Sequence, residues 1–133
     1  MLKNNNLLSF YKNDREFFNK LFKYNISLNS DDLKILDNNK NNILHNMILN
    51  EDFNNIDIIL NNIKSNVYSN NLKQFLLNSK NNQNNTPAHL AVMQKLYNVV
   101  KKLHDAGADL TITNNEGFYI QNDDSEDTKT NNT

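Results

Sequence analysis

The chain has no cysteine and no tryptophan, only two glycines, one proline and one arginine, and no long apolar run. Without cysteine there is no disulfide, no thiolate nucleophile and no zinc site built on sulfur, and the composition fits a reducing compartment, the cytosol or the nucleus. Two glycines leave no glycine-rich loop to cradle a phosphate or line an oxyanion hole. No stretch reaches the roughly 18 apolar residues of a membrane span. Met1 to Phe10 sets three asparagines ahead of only two leucines, so no signal peptide is expected. Fourteen basic residues against fifteen acidic ones give a net charge of -1. With no dense lysine run, nucleic-acid binding through charge is disfavoured.

What the chain has in excess is asparagine, 31 of 133 residues. Asparagine, lysine, isoleucine, phenylalanine and tyrosine have AT-rich codons, and the scarce glycine, proline, arginine and alanine have GC-rich ones. The enrichment therefore reads as a genome bias with no chemistry of its own. The asparagine runs never exceed three and apolar residues interrupt them at helical spacing, which favours a fold over a prion-like tract. The length suits one domain with a modest core.

Asn81 to Gly117 carries the clearest pattern, NNQNNTPAHLAVMQKLYNVVKKLHDAGADLTITNNEG. Polar turn residues lead to Thr86 at an N-cap and Pro87 at the first helical position. Gln94-Lys95 breaks that helix, and a second follows from about Tyr97 to Ala106, with Val99, Val100 and Leu103 on its apolar face. Gly107 stands where a left-handed C-cap is needed, and Asn114, Asn115 and Gly117 supply a closing turn.

This 33-residue turn, helix, helix unit with T-P-x-H-L-A and G-A-D-L resembles one ankyrin repeat. One such unit cannot bury its own apolar face, so neighbours are required. Asp37 to His45 (DNNKNNILH) aligns with Asn81 to His89 at an offset of 44, setting His45 opposite His89 and Met47 opposite Ala91. Ile56, Ile58, Ile59 and Ile63 mark its second helix. The loop Asn50 to Asn55 is expected to be about three residues longer than its counterpart. Ser65 to Asn71 is expected to be a mobile connection, and Leu72 to Leu77 a short added helix. Upstream, Asn13 to Asn25 matches a second helix, with Phe17, Phe18 and Leu21 as its core, Phe22 and Tyr24 unassigned, and Asn25 replacing the capping glycine. Lys40 and Asn84 occupy positions where the family prefers a turn glycine, a strained arrangement for lysine.

The resemblance implies an all-α ankyrin-repeat solenoid of about three repeats, the first degenerate, with an insertion after the second. It would occupy residues 1–120, followed by an acidic disordered tail over 121–133. It further implies a non-catalytic protein-binding module without cofactor or metal. Its partner surface would comprise Asn38, Asn39, Asn41, Leu49 and Asn50, with Asn82, Gln83, Asn85, Met93, Gln94 and Thr113. His45 and His89 are assigned to holding the turns, against the alternative of metal ligands. The paired Asp31-Asp32 and Asp123-Asp124 are assigned to solvated loop or tail.

The insertion ending Phe75-Leu76-Leu77-Asn78 and running into the third repeat is similar to that of short ankyrin inhibitors of nuclear factor kappa-B, including those of large DNA viruses. A host transcription-factor subunit is the partner this implies, in the cytoplasm or nucleus. The same insertion is similar to the ankyrin segment of transcription regulators, and that alternative stands beside it. A metal-dependent enzyme is the remaining one, and it lacks converging ligands.

Overall fold

A computed structural model describes residues 6–24 and 30–115. Asn25, Gly117, the incipient fourth unit Phe118-Tyr119-Ile120 and the acidic tail lie outside the described residues. Every element among those described is an α-helix: α1 (Leu7–Asn13), α2 (Arg15–Lys23), α3 (Ser30–Leu33), α4 (Ile43–Leu49), α5 (Phe53–Lys64), α6 (Asn70–Asn78), α7 (Pro87–Met93) and α8 (Tyr97–Asp105). Helices α1 and α2, α4 and α5, and α7 and α8 pack as three hairpins, and α4 against α7 joins the second layer to the third.

Local chemistry sets the boundaries. The Asn42 side chain accepts the N–H of His45 at 2.9 Å, and the His45 ring accepts the N–H of Asn42 at 3.0 Å. Thr86 and His89 repeat the exchange at 3.3 and 3.0 Å. Each pair is a reciprocal capping box with histidine in the place usually held by glutamate, and it satisfies two helix-end donors at once. Both first helices stop at a residue in the left-handed region, Glu51 with φ 52° and Lys95 with φ 62°, which turns the chain into the second helix. Gly107, at φ 108°, ends α8.

The two hairpins are congruent through this turn. Helices α4 and α7 both have seven residues, and α5 and α8 begin at the 44-residue offset, Phe53 against Tyr97. The loop Asn50 to Asn55 is therefore the same length as its counterpart, contrary to the sequence expectation. The apolar isoleucines that suggested a later start lie on the second turn of α5. All eleven extra residues of the middle repeat lie further on, where α5 runs on to twelve residues and α6 is added. The intervening connection is 65–69, since Asn70 and Asn71 already belong to α6, and it is anchored at its centre. Tyr68 packs partly buried on the core, and its hydroxyl accepts from Asn62 at 3.0 Å.

Leu33, Leu77 and Leu110 are buried at matching places before or within each turn. Thus α3 and α6 are short and long versions of one connection. Asp31 and Asp32, assigned to a loop, form the first turn of α3.

The first layer departs from its predicted core. Phe18 and Phe22 are fully buried, Leu21 is only partly so, and Phe17 is 41% exposed. Asp14 caps α2 by accepting from the N–H of Phe17, whose ring lies on the outer side of the helix edge-on to Phe10 at 4.8 Å. Phe18 then stacks on Phe22 with ring centroids 5.0 Å apart and meets Tyr11 edge-on at 4.9 Å.

Candidate interaction surface

Between helices the chain runs through two turns, Asp37 to Asn42 and Asn81 to Thr86, built on one plan. Asp37 Oδ1 accepts the N–H groups of Asn39 and Asn41, each at 2.9 Å. Asn81 Oδ1 accepts those of Gln83 and Asn85 at 2.9 and 3.0 Å. The residue inside each loop must then take positive φ, and Lys40 (61°) and Asn84 (62°) do so, at the positions where the sequence placed them. Asparagine tolerates that region better than lysine does.

The turns are laced together. The N–H of Asn82 donates to the Asn39 carbonyl at 2.9 Å, Asn81 Nδ2 to Asn41 Oδ1 at 2.9 Å, and Asn114 Nδ2 to Asn85 Oδ1 at 3.1 Å. Asn84 reaches Asn115 in the same way. Asn42 Nδ2 bonds the carbonyls of Phe75 and Leu76 at 3.2 Å, tying α6 to the cap of α4. An aspartate at Asn81 could accept the two turn N–H groups but could not donate to the neighbouring turn. Some of the asparagines therefore have chemistry after all: the Asn81 side chain is acceptor within its turn and donor across the array, and Asn42 is acceptor at its helix cap and donor to α6.

His45 links the same two turns. Its Nε2 lies 3.0 Å from the Asn85 carbonyl and its Nδ1 takes the N–H of Asn42, so the ring is neutral with its proton on Nε2. Burial, opposed by the Asn85 carbonyl and the charge of Asp37, pulls the His45 pKa down to about 4. The ring nitrogens of His45 are thus committed to the turns, as are the Nδ1 contacts of His89 to the Thr86 backbone and hydroxyl. Among the described residues no group of three or more His, Asp or Glu could hold a metal ion. No described helix is long and apolar enough to cross a membrane.

The first layer is joined to the second differently. The Tyr11 hydroxyl donates to Asp52 at 2.8 Å, and Arg15 lies 3.5 Å above the Tyr11 ring while reaching Asp52 at 3.4 Å. Lys12 pairs with Asp37 at 3.0 Å. Burial works against charge on Asp37, yet Lys12 and the N–H groups of Asn41 and Asn39 hold its carboxyl below the ordinary range.

The predicted surface residues divide. Asn38, Asn39, Asn82 and Gln83 are exposed on the turns, Asn50 and Thr113 are exposed beyond them, and Leu49 and Met93 project at 45% and 60% exposure from the ends of α4 and α7. Gln94 is half-buried and donates to the Ile48 carbonyl at 2.9 Å. Asn41 and Asn85 are not surface at all. Each is buried, and each side-chain oxygen accepts an amide of the next turn, so neither is offered to a partner.

Two exposed aromatics escaped the sequence reading. Phe53 and Tyr97, 46% and 61% exposed, are the first residues of α5 and α8, four residues after Leu49 and Met93 across the left-handed turns. The 44-residue offset pairs all four positions, a signal that the supposed longer loop concealed.

With this geometry in place, residues 69–120 match the family model of ankyrin repeats in many copies. Over that segment the helix pair and its turn match ankyrin repeats, a family of protein–protein interaction modules, and the α4–α5 pair is built on the same plan. A Fowlpox virus (strain NVSL) protein that carries the name ankyrin repeat protein FPV219 is 54% identical over 41 residues, 31% of this chain. That match spans 9% of the viral protein's own length. No solved structure matches the chain at a significant level.

Proposed function

We propose that the chain binds a protein partner without catalysing a reaction on it, through the turn tips Asn38, Asn39, Asn82 and Gln83 together with Leu49 and Met93 at the far ends of the first helices. The observation that carries this reading is the split within the asparagines. One set is buried and consumed in the fold, while the tip set is exposed on a backbone fixed by the ladder. A rigid row of amide side chains at one end of the first helices gives hydrogen-bonding groups, and two apolar side chains at the other end give anchors, at little ordering cost.

The partner is a host transcription-factor subunit of the nuclear factor kappa-B kind, met in the cytoplasm or nucleus. Two things support it: the insertion before the third repeat and the likeness to a fowlpox virus ankyrin protein. The test is titration of that subunit with the chain and with two variants. Asn82→Glu with Gln83→Glu should weaken binding at least roughly tenfold, about 1.4 kcal/mol. Lys101→Ala, on the exposed side of α8, should change it little. Equal affinities for the tip variant and the wild type would remove this surface from the reading, and no binding by the wild type would remove the partner.

A further inference from the structure

Leu49, Phe53, Met93 and Tyr97 form two rungs of one ladder on the rim where first helices pass into second ones. At roughly 200 Å² for a side chain of this size, their exposures leave on the order of 400 Å² of apolar surface. That is within the size range of the largest apolar patch on a typical monomer, which is often functional. Between the members of each rung stands a charge of opposite sign, Glu51 in the second repeat and Lys95 in the third, at equivalent left-handed positions. Both are exposed, and neither forms an ion pair among the described residues.

We infer that this rim docks a second copy of the chain about a two-fold axis passing between the second and third repeats. A two-fold interface needs a patch complementary to itself after half a turn. Half a turn here brings the second repeat of one copy onto the third of the other. Leu49 and Phe53 meet Met93 and Tyr97, and Glu51 meets Lys95 twice, once on each side of the axis. Two repeats of the same charge would repel in this arrangement, so the sign alternation is what selects it. The four side chains supply about 800 Å² across both copies. With the exposed Asn50, Asn54 and Asn98 around them, the contact reaches about 1,000 Å², enough for a weak specific dimer. Leu49 and Met93 are shared with the proposed partner surface, so a second copy seated here competes with a partner for them, while the turn tips lie outside the stripe.

Sedimentation equilibrium of the purified chain tests it. The mass should rise from 15.5 kDa toward twice that value between about 1 and 300 µM, the range of a micromolar dissociation constant. Glu51→Lys and Lys95→Glu should each weaken association at least about tenfold, and the two together should restore it, since the swap rebuilds both pairs with reversed polarity. Phe53→Ser with Tyr97→Ser should abolish it, with the thermal melt confirming an intact fold. Asn82→Glu with Gln83→Glu should leave it unchanged even where it weakens partner binding. A chain that stays at 15.5 kDa throughout, or a double swap that fails to restore association, overturns the inference.

Discussion

The first and third layers solve the same packing problem with different materials. The third is held by small side chains, Ala88, Ala91 and Val99, under a turn whose polar groups are all assigned. The first packs stacked aromatics, Tyr11, Phe18 and Phe22, and reaches the second layer through the Tyr11–Arg15–Asp52 cluster and an Asn55–Asn19 amide bond at 2.9 Å. The difference teaches that a repeat array can fill a layer with aromatic bulk and bridge it through an ionic cluster, or fill it with small side chains and lace it turn to turn. The two fail in different ways.

The largest expected effect falls on the aromatic layer. Phe18→Ala should cost about 3 to 5 kcal/mol in denaturant unfolding, because neither the Tyr11 nor the Phe22 ring can collapse into the space. A loss under about 1 kcal/mol would mean that this layer contributes little to the cooperative unit.

The laced layers should instead fail with acid. With His45 at about 4 in the fold and 6.5 when unfolded, the unfolded chain binds the extra proton between those values. Stability is thus full above about pH 6.5 and falls as the pH drops toward 4. The loss approaches roughly 3 kcal/mol at 1.36 kcal/mol per unit. Protonation also puts a second N–H on the ring facing the Asn42 donor. Melting curves of the wild type and His45→Gln between pH 4 and 7 check this, and the variant should lose most of that slope.

Asn81→Asp sharpens the comparison further. It keeps both acceptor bonds of its turn and loses the donor to Asn41, so about 1 to 3 kcal/mol should go, with an isosteric side chain in place. At the small end, Lys40→Gly relieves a positive φ and should add about 1 kcal/mol, while Asn84→Gly should add less. Thermal melts of the pair would show whether the ordering holds.

How much of this could be read in the sequence varies with the range of the cause. Thr86, Pro87, His89, Gly107 and the strained Lys40 act on their own backbone, so their types and spacing announced the turns and helix starts. The apolar spacing of α2 marks a helix but not its rotation, which follows from Phe18 and Phe22 packing with Tyr11 of the neighbouring helix. An amide carries no mark of the partner that satisfies it, so the sequence alone puts the buried Asn41 and Asn85 at the surface. Those partners lie about 30 to 40 residues away, beyond any local pattern.

The lacing also sets the size of the cooperative unit. The carbonyl of Asn39, the side-chain oxygen of Asn41 and the Nε2 proton of His45 are all completed by residues of the following turn. A second repeat released from the third would give up three hydrogen bonds at once, each worth a net of about 0.5 to 1.5 kcal/mol once water takes the freed groups. Partial unfolding at that boundary is therefore suppressed, and the nearest-neighbour coupling outweighs what either repeat could hold alone. Hydrogen exchange at the Asn46 amide in one helix and the Leu90 amide in the next should report a single opening event, even though α6 separates them in the chain.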